Sequence, residues 1–142
     1  MDTKGKVAIL LSGRGSNFEA IYRSSQQPGS NFEIAVVISD KKNARGLERA
    51  REFGLPAFHV SPKKLKPKSA YETKIKDIIR EHGAELVCLA GYMRIVGDTL
   101  LDAFAGRIMN IHPSLLPSFP GLHAQAQALE YGVKASGCTV HF

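Results

Sequence analysis

KVAILLS, residues 6–12, is an apolar run in which polar and apolar positions do not alternate. That is the pattern of a strand covered on both faces in a parallel sheet. The next residues, GRGSN at 13–17, read as a glycine turn that opens an amphipathic helix over residues 17–24. Strand, turn and helix in this order begin a crossover unit, and the order recurs along the chain. Residues 33–39 form a second buried strand; Asn43 caps a helix to Glu52 or Phe53, with Gly54 as its stop and Pro56 beyond. Residues 57–60 make a short third strand, and Ser69 with Glu72 forms an S-x-x-E capping box for a helix ending near His82 and Gly83. Residues 86–90 are the fourth strand, Asp98 caps a short helix to Phe104, and residues 107–111 are the fifth strand. A last helix over 124–131 closes at Gly132, and residues 138–142 begin another strand. The alternation predicts an α/β fold with a doubly wound, largely parallel sheet and right-handed crossovers, in a single domain over residues 1–142. Ligands in such sheets bind beyond the carboxyl ends of the strands.

Composition narrows the function classes. The chain has 142 residues, 44% of them hydrophobic, enough for one domain with a real core. No apolar run approaches the roughly 20 residues of a membrane helix. The opening MDTKGKVAILLSGRG has too short an apolar run for a signal peptide and leads into a glycine turn, so a cytoplasmic protein without a membrane partner is expected. Cys88 and Cys138 have no metal or disulfide spacing and read as reduced, buried thiols, with no metal site. The net charge of +6 is uneven: residues 41–80 hold 12 Lys and Arg against 4 Asp and Glu. That segment lacks the interleaved aromatics that stack bases, so it reads first as solvated helix faces, then as attraction for a small anion, and nucleic acid is not expected.

Three strand-end loops carry chemistry. In the first, Gly13 and Gly15 permit unusual torsions, and the N–H groups of Gly15, Ser16 and Asn17 open a helix whose positive end favours an anion. The loop lacks the GK[ST] of a P-loop, and Phe18 stands where a dinucleotide fingerprint needs its third glycine, so a single phosphate fits best. A plain turn capped by Ser16 or Asn17 is the simpler account. In the second, AGYMRIVG at 90–97, the main chain of residues 93–96 offers a donor and acceptor edge to a flat heterocycle, walled by Met93, Ile95 and Val96. Such residues before a helix are more often core. The third, RIMNIHPSLLPSFPGLH at 107–123, ends a strand at His112, because Pro113 restricts the residue before it. Asn110 and His112 are two apart and share a face in extended geometry, while Pro113, Pro117 and Pro120 stiffen the loop beyond them. A lone Asn and a lone His are more often a turn residue and a surface imidazole. His123 and His141 are second-tier site candidates, and His59 and His82 read as ordinary surface imidazoles.

With GRGSN, ISDKKNARGLERA, LAGYMRIV and NIHPSLLPSFPGLHA in this order over nearly the whole chain, the sequence resembles the folate-dependent phosphoribosylglycinamide formyltransferases. The resemblance implies a Rossmann-like formyltransferase fold and transfer of the formyl group of 10-formyltetrahydrofolate to the amine of 5-phosphoribosylglycinamide in purine biosynthesis. It implies that Gly15, Ser16 and Asn17 bind the substrate phosphate, that Met93, Arg94, Ile95 and Val96 hold the pterin, and that Asn110 and His112 are catalytic, with Asn110 also beside the folate. A family arginine near the folate tail aligns with Lys68, which keeps the charge and loses the bidentate fork. The family also has a catalytic aspartate shortly after the strand matching residues 139–142, together with further elements completing the fold. On that expectation the chain is a C-terminally incomplete fragment. The expected partners are the two small molecules, and the expected assembly is a monomer or homodimer.

The implied chemistry is attack of a primary amine on a formyl carbon. The oxyanion that develops needs donors already aimed at it, a role suited to the Asn110 amide and protonated His112, and His112 also relays protons. Methionyl-tRNA formyltransferases and formylfolate hydrolases share an Asn-x-His site and the folate donor. The former are not expected to carry GRGSN, and the latter release formate without the ribonucleotide. A binding-competent but inactive fragment is the remaining alternative.

Overall fold

The protein is described by a computed structural model over residues 5–13, 15–111 and 139–141. Within these residues β1 (Gly5–Leu11), β2 (Phe32–Ser39), β3 (Ala57–His59), β4 (Leu86–Ala90), β5 (Ile108–Ile111) and β6 (Thr139–His141) form one six-stranded sheet in the order β3-β2-β1-β4-β5-β6. The first five strands pair in parallel, and β6 pairs antiparallel to β5 through Ile108 with His141, Met109 with Val140 and Asn110 with Thr139. The helices α1 (Ser16–Ser25), α2 (Arg45–Glu52), α3 (Lys68–Glu81) and α4 (Asp98–Ala103) alternate with the parallel strands.

The unbroken apolar strands are explained by a core on each side of the sheet. Val7, Ile9 and Leu11 of β1 pack with Phe18 and Ile21 of α1 and with Leu47 and Ala50 of α2. Ala8 and Leu10, pointing the other way, pack with Ile75, Ile78 and Ile79 of α3 and Leu100 of α4. Both faces of the sheet are therefore dry, and a polar residue within β1 or β4 has nowhere to face water. Cys88 lies inside this double core.

Strand positions and helix starts agree with the sequence reading to within a residue or two, while the capping residues do not. Asn43 does not cap α2: the N-cap residue is Ala44, extended and with no side-chain cap. The capping box at Ser69 and Glu72 is absent too, since α3 begins at Lys68 after Pro67. Asp98 is the first residue of α4, and its cap residue is Gly97. Gly54 does stop α2 in a left-handed conformation, φ 77°. The third strand ends at His59, and the fifth begins at Ile108 because the Arg107 N–H turns back to the Phe104 carbonyl. The expected helix over 124–131, the proline-rich stretch 113–120, Cys138 and Phe142 lie outside the described residues.

One packing point fixes how α2 sits on the sheet. A Cβ built on Gly46 would come 2.6 Å from Leu11 Cδ2, and Leu11 is fully buried. The glycine lets α2 lie directly on the end of β1. Gly46→Ala is expected to cost about 1–3 kcal/mol of overpacking strain, read as a lowered urea midpoint with an unchanged m-value.

Candidate active site

The strand order reverses direction between β1 and β4, the topological switch point at which crevices open in such sheets. The loops leaving these two strands are tied together. The Ser12 N–H donates to the Gly91 carbonyl at 3.3 Å, and the Met93 N–H donates to Ser12 Oγ at 2.8 Å. Ser12 is buried, while Met93 at the other end of the link is exposed. Asn110 sits on β5 beside Leu89 of β4, half-buried, at the same sheet edge. His112 comes two residues later and lies outside the described residues.

At the first loop, Gly15 is the N-cap of α1 with φ 82°, and a Cβ there would fall 2.6 Å from Gly46 Cα. Both its torsion and its surroundings demand glycine. Gly13 has neither constraint among the described residues, since its φ is not positive and a Cβ built there would meet none of their atoms within 4 Å; of the two glycines, Gly15 is the one with a positive φ. The Gly13 carbonyl instead accepts from the Gly46 N–H at 3.2 Å, joining the starts of α1 and α2. The N-cap position of α1 is held by Gly15, which has no side chain to cap the helix. Ser16 is exposed and Asn17 buried. A cavity of about 470 Å³ opens beside this turn, lined by Ser12, Gly13, Lys41, Lys42, Asn43, Ala44 and Arg45.

A second cavity of about 540 Å³ lies on the other side of Lys41, which lines both. Its walls are Asp40, Lys41, Pro62, Lys68, Tyr71, Met93, Arg94 and Ile95. Met93 and Ile95 are 78% and 83% exposed, large apolar side chains held out toward solvent. Arg94 is paired with Asp40, Nε to Oδ2 at 3.2 Å, and its guanidinium stands 5.7 Å over the Tyr71 ring. Of the segment expected to hold a heterocycle, Met93, Arg94 and Ile95 share this cavity with Lys68. Val96 does not wall it: its side chain packs against the core formed with α3 and α4. The Met93 N–H, committed to Ser12, is likewise closed to a ligand.

Sequence reasoning missed Asp40. It directly follows β2 at the strand's carboxyl end, the position that should have singled it out. The carboxylate is buried, with Oδ1 lacking a partner among the described residues. Glu72 has a different place from the one expected: its two oxygens accept from the Gly97 N–H at 2.6 Å and the Leu100 N–H at 3.2 Å, so it caps α4. His82 is tied to its own helix through Nδ1 and the Ile78 carbonyl at 2.8 Å, and His59 is exposed at the end of the edge strand β3.

The Tyr71 and Tyr92 hydroxyls meet at 2.6 Å behind the second cavity. Burial pushes both phenols above their usual range, Tyr92 further because its hydroxyl is also held by Tyr71. Above pH about 10 the unfolded chain releases these protons while the folded chain retains them, so stability falls as pH rises. Tyr92→Phe is expected to cost about 1 kcal/mol at pH 8 and to flatten that fall, measured as the urea midpoint from pH 8 to 11.

A sheet of this order, with a glycine-opened helix at one side of its switch point and a cavity at the other, is the ligand-binding arrangement of the doubly wound α/β class. A family model described as formyl transferase matches residues 5–142, so the chain belongs to the formyl transferase family. It is 48% identical over 137 residues to the phosphoribosylglycinamide formyltransferase of Bacillus subtilis, covering 96% of this chain and 70% of that protein. It is 43% identical over 139 residues to the trifunctional purine biosynthetic protein adenosine-3 of Homo sapiens, of which it spans 14%. Among solved structures, glycinamide ribonucleotide transformylase 1 from Symbiobacterium toebii matches with TM-score 0.76 and 49% identity, over 98% of this chain and 66% of that one. Phosphoribosylglycinamide formyltransferase from Brucella melitensis matches with TM-score 0.77 and 43% identity, over 99% and 73%. Within its class, the chain is a member of the phosphoribosylglycinamide formyltransferases. Among the described residues no helix is long and apolar enough to cross a membrane.

Proposed function

We propose that the protein transfers the formyl group of 10-formyltetrahydrofolate to the amine of 5-phosphoribosylglycinamide, in the cytoplasm and as a step of purine synthesis. The observation that carries this reading is the tie between Ser12 and Met93, which sets an anion-favouring helix start and an apolar, partly basic cavity side by side. The phosphate lies against the N–H groups of residues 15–17, where the start of α1 supplies partial positive charge. Lys41, Lys42 and Arg45 line the adjoining cavity and add attraction for an anion.

The formyl donor occupies the second cavity, whose volume of about 540 Å³ lies in the usual range for small-molecule sites. Met93 and Ile95 cover the faces of its ring system, and Lys68 meets its acidic tail. The main-chain edge left for the heterocycle begins at the Met93 carbonyl, because the amide is taken. The ribonucleotide's amine attacks the formyl carbon, the carbonyl electrons move to oxygen, and the Asn110 amide and His112 imidazolium donate to that oxyanion. Collapse breaks the bond to the folate nitrogen, which leaves protonated as the amine loses its proton through His112. One such oxyanion donor is worth roughly 3–4 kcal/mol in comparable acyl transfers.

In the full-length protein, His112→Ala is expected to lower turnover by more than 10²-fold while leaving ribonucleotide affinity within about twofold. Near-normal turnover would remove His112 from the chemistry. Formate release measured with and without the ribonucleotide separates the transferase from a hydrolase: the transferase releases almost none in either case, and formylated product appears only with the amine.

A further inference from the structure

Buried polar side chains are few in this core, and three of them act on one segment. Ser12, Asp40 and Glu72 are 5%, 6% and 2% exposed. Ser12 Oγ accepts from the Met93 N–H, Asp40 Oδ2 from Arg94 Nε, and Glu72 from the Gly97 and Leu100 N–H groups. The acceptors come from β1's end, β2's end and the first turns of α3, so residues 93–97 are fixed from three separate elements. Between the outer two ties the chain nevertheless presents Met93 and Ile95 to solvent. Apolar side chains that exposed would ordinarily fold back onto the core, as Val96 does; the backbone here is held so that they cannot.

We infer that Ser12, Asp40 and Glu72 form a buried frame that presets residues 91–97 for the formyl donor, with Asp40 a positioning residue that acts through Arg94. The inference rests on the proposed function for the identity of the ligand and not for the frame itself. Asp40 is an expensive choice for a purely structural contact. Its carboxylate is buried, Oδ1 has no partner among the described residues, and Arg94 is its one ion-pair partner among them. Burial of a carboxylate with half its acceptors unused costs stability, so the return lies in where the guanidinium is placed. The pair orients Arg94 across Tyr71, on the cavity wall shared with Lys68, and keeps it from reaching into the space the donor enters. Order built in before binding lowers the entropy lost on binding, and its removal appears in donor affinity first.

The test is a kinetic double-mutant cycle in the full-length protein with Asp40→Asn, Arg94→Ala and the pair together. Asp40→Asn is expected to raise the KM for the formyl donor about tenfold, to leave the KM for the ribonucleotide within twofold and kcat within threefold, and not to lower the urea midpoint. The double variant is expected to be no worse than Arg94→Ala alone, as two residues acting through one contact require. Ser12→Ala provides a second route, with a raised donor KM; because Ser12 also lines the first cavity, the donor-only signature is required of Asp40→Asn alone. Amide hydrogen exchange reads the frame independently: Met93 in Ser12→Ala and Gly97 in Glu72→Ala are expected to exchange at least tenfold faster than in the wild type. An unchanged donor KM in Asp40→Asn and Ser12→Ala, or fully additive effects in the cycle, would overturn the positioning role. Loss of both substrates' affinity together with stability would do the same, by showing a general structural role. A wild-type protein without formyl transfer activity would defeat the proposed function, and the exchange rates would still decide whether the frame exists.

Discussion

The structure turns on a hydrogen bond between residues 81 positions apart, from the Met93 N–H to Ser12 Oγ. β1 and β4 are neighbours in the sheet, but the helices after them belong to opposite halves of the doubly wound fold, α1 on one face and α4 on the other. At that divide the two chain segments leave the sheet in different directions, and a crevice opens for geometric reasons alone. The serine keeps the crevice from gaping. It fixes one backbone amide of the second loop against the first, so that whatever each loop binds is bound next to the other.

A two-substrate transfer needs such a constraint more than it needs any single reactive group. Amine and formyl carbon must meet at about 3 Å, and holding both reactants can supply a large share of the rate enhancement. The molecule meets this need with rigid parts. Gly15 and Gly46 allow α1 and α2 to start almost in contact, which concentrates helix-start N–H groups beside the first loop. Glu72, from α3, holds the start of α4, and Asp40, from the end of β2, holds Arg94. The cavities on the two sides of Lys41 are thus built from strand ends and helix starts that are bonded to one another, and no one element can shift without disturbing its neighbours.

Much of this is legible in the sequence, and the reason is local. VAILL, IAVVIS and LVCLA are apolar without alternation because each strand is buried twice over, and that pattern survives reading one segment at a time. Gly15 announces a left-handed residue at a helix start, and the structure has one there. The helix caps mislead for the opposite reason. Ser69 and Glu72 have the spacing of a capping box, yet Glu72 reaches Gly97, 25 residues on, and nothing in its own helix records that preference. Asn43 and Asp98 likewise look like caps and are not, because Ala44 and Gly97 occupy those positions. From its loop alone Met93 has an amide to offer a ligand, and only the fold reveals that a serine from the first loop already holds it. Asp40 has no motif around it, and its place directly after β2, at the strand's carboxyl end, is the one signal in the sequence that could have singled it out.

The central claim is that an anion at residues 15–17 and a formylated heterocycle at residues 93–96 share one site. It is tested most directly by a crystal structure of the full-length protein bound to both the ribonucleotide and a folate analogue unable to transfer its one-carbon group. The account predicts the phosphate on the first turn of α1, the ring system between Met93 and Ile95, and the amine within about 3.5 Å of the carbon that would carry the formyl group. Phosphate and ring system on separate faces of the sheet, or an amine pointing away from the donor with Ser12 and Met93 still bonded, would contradict it.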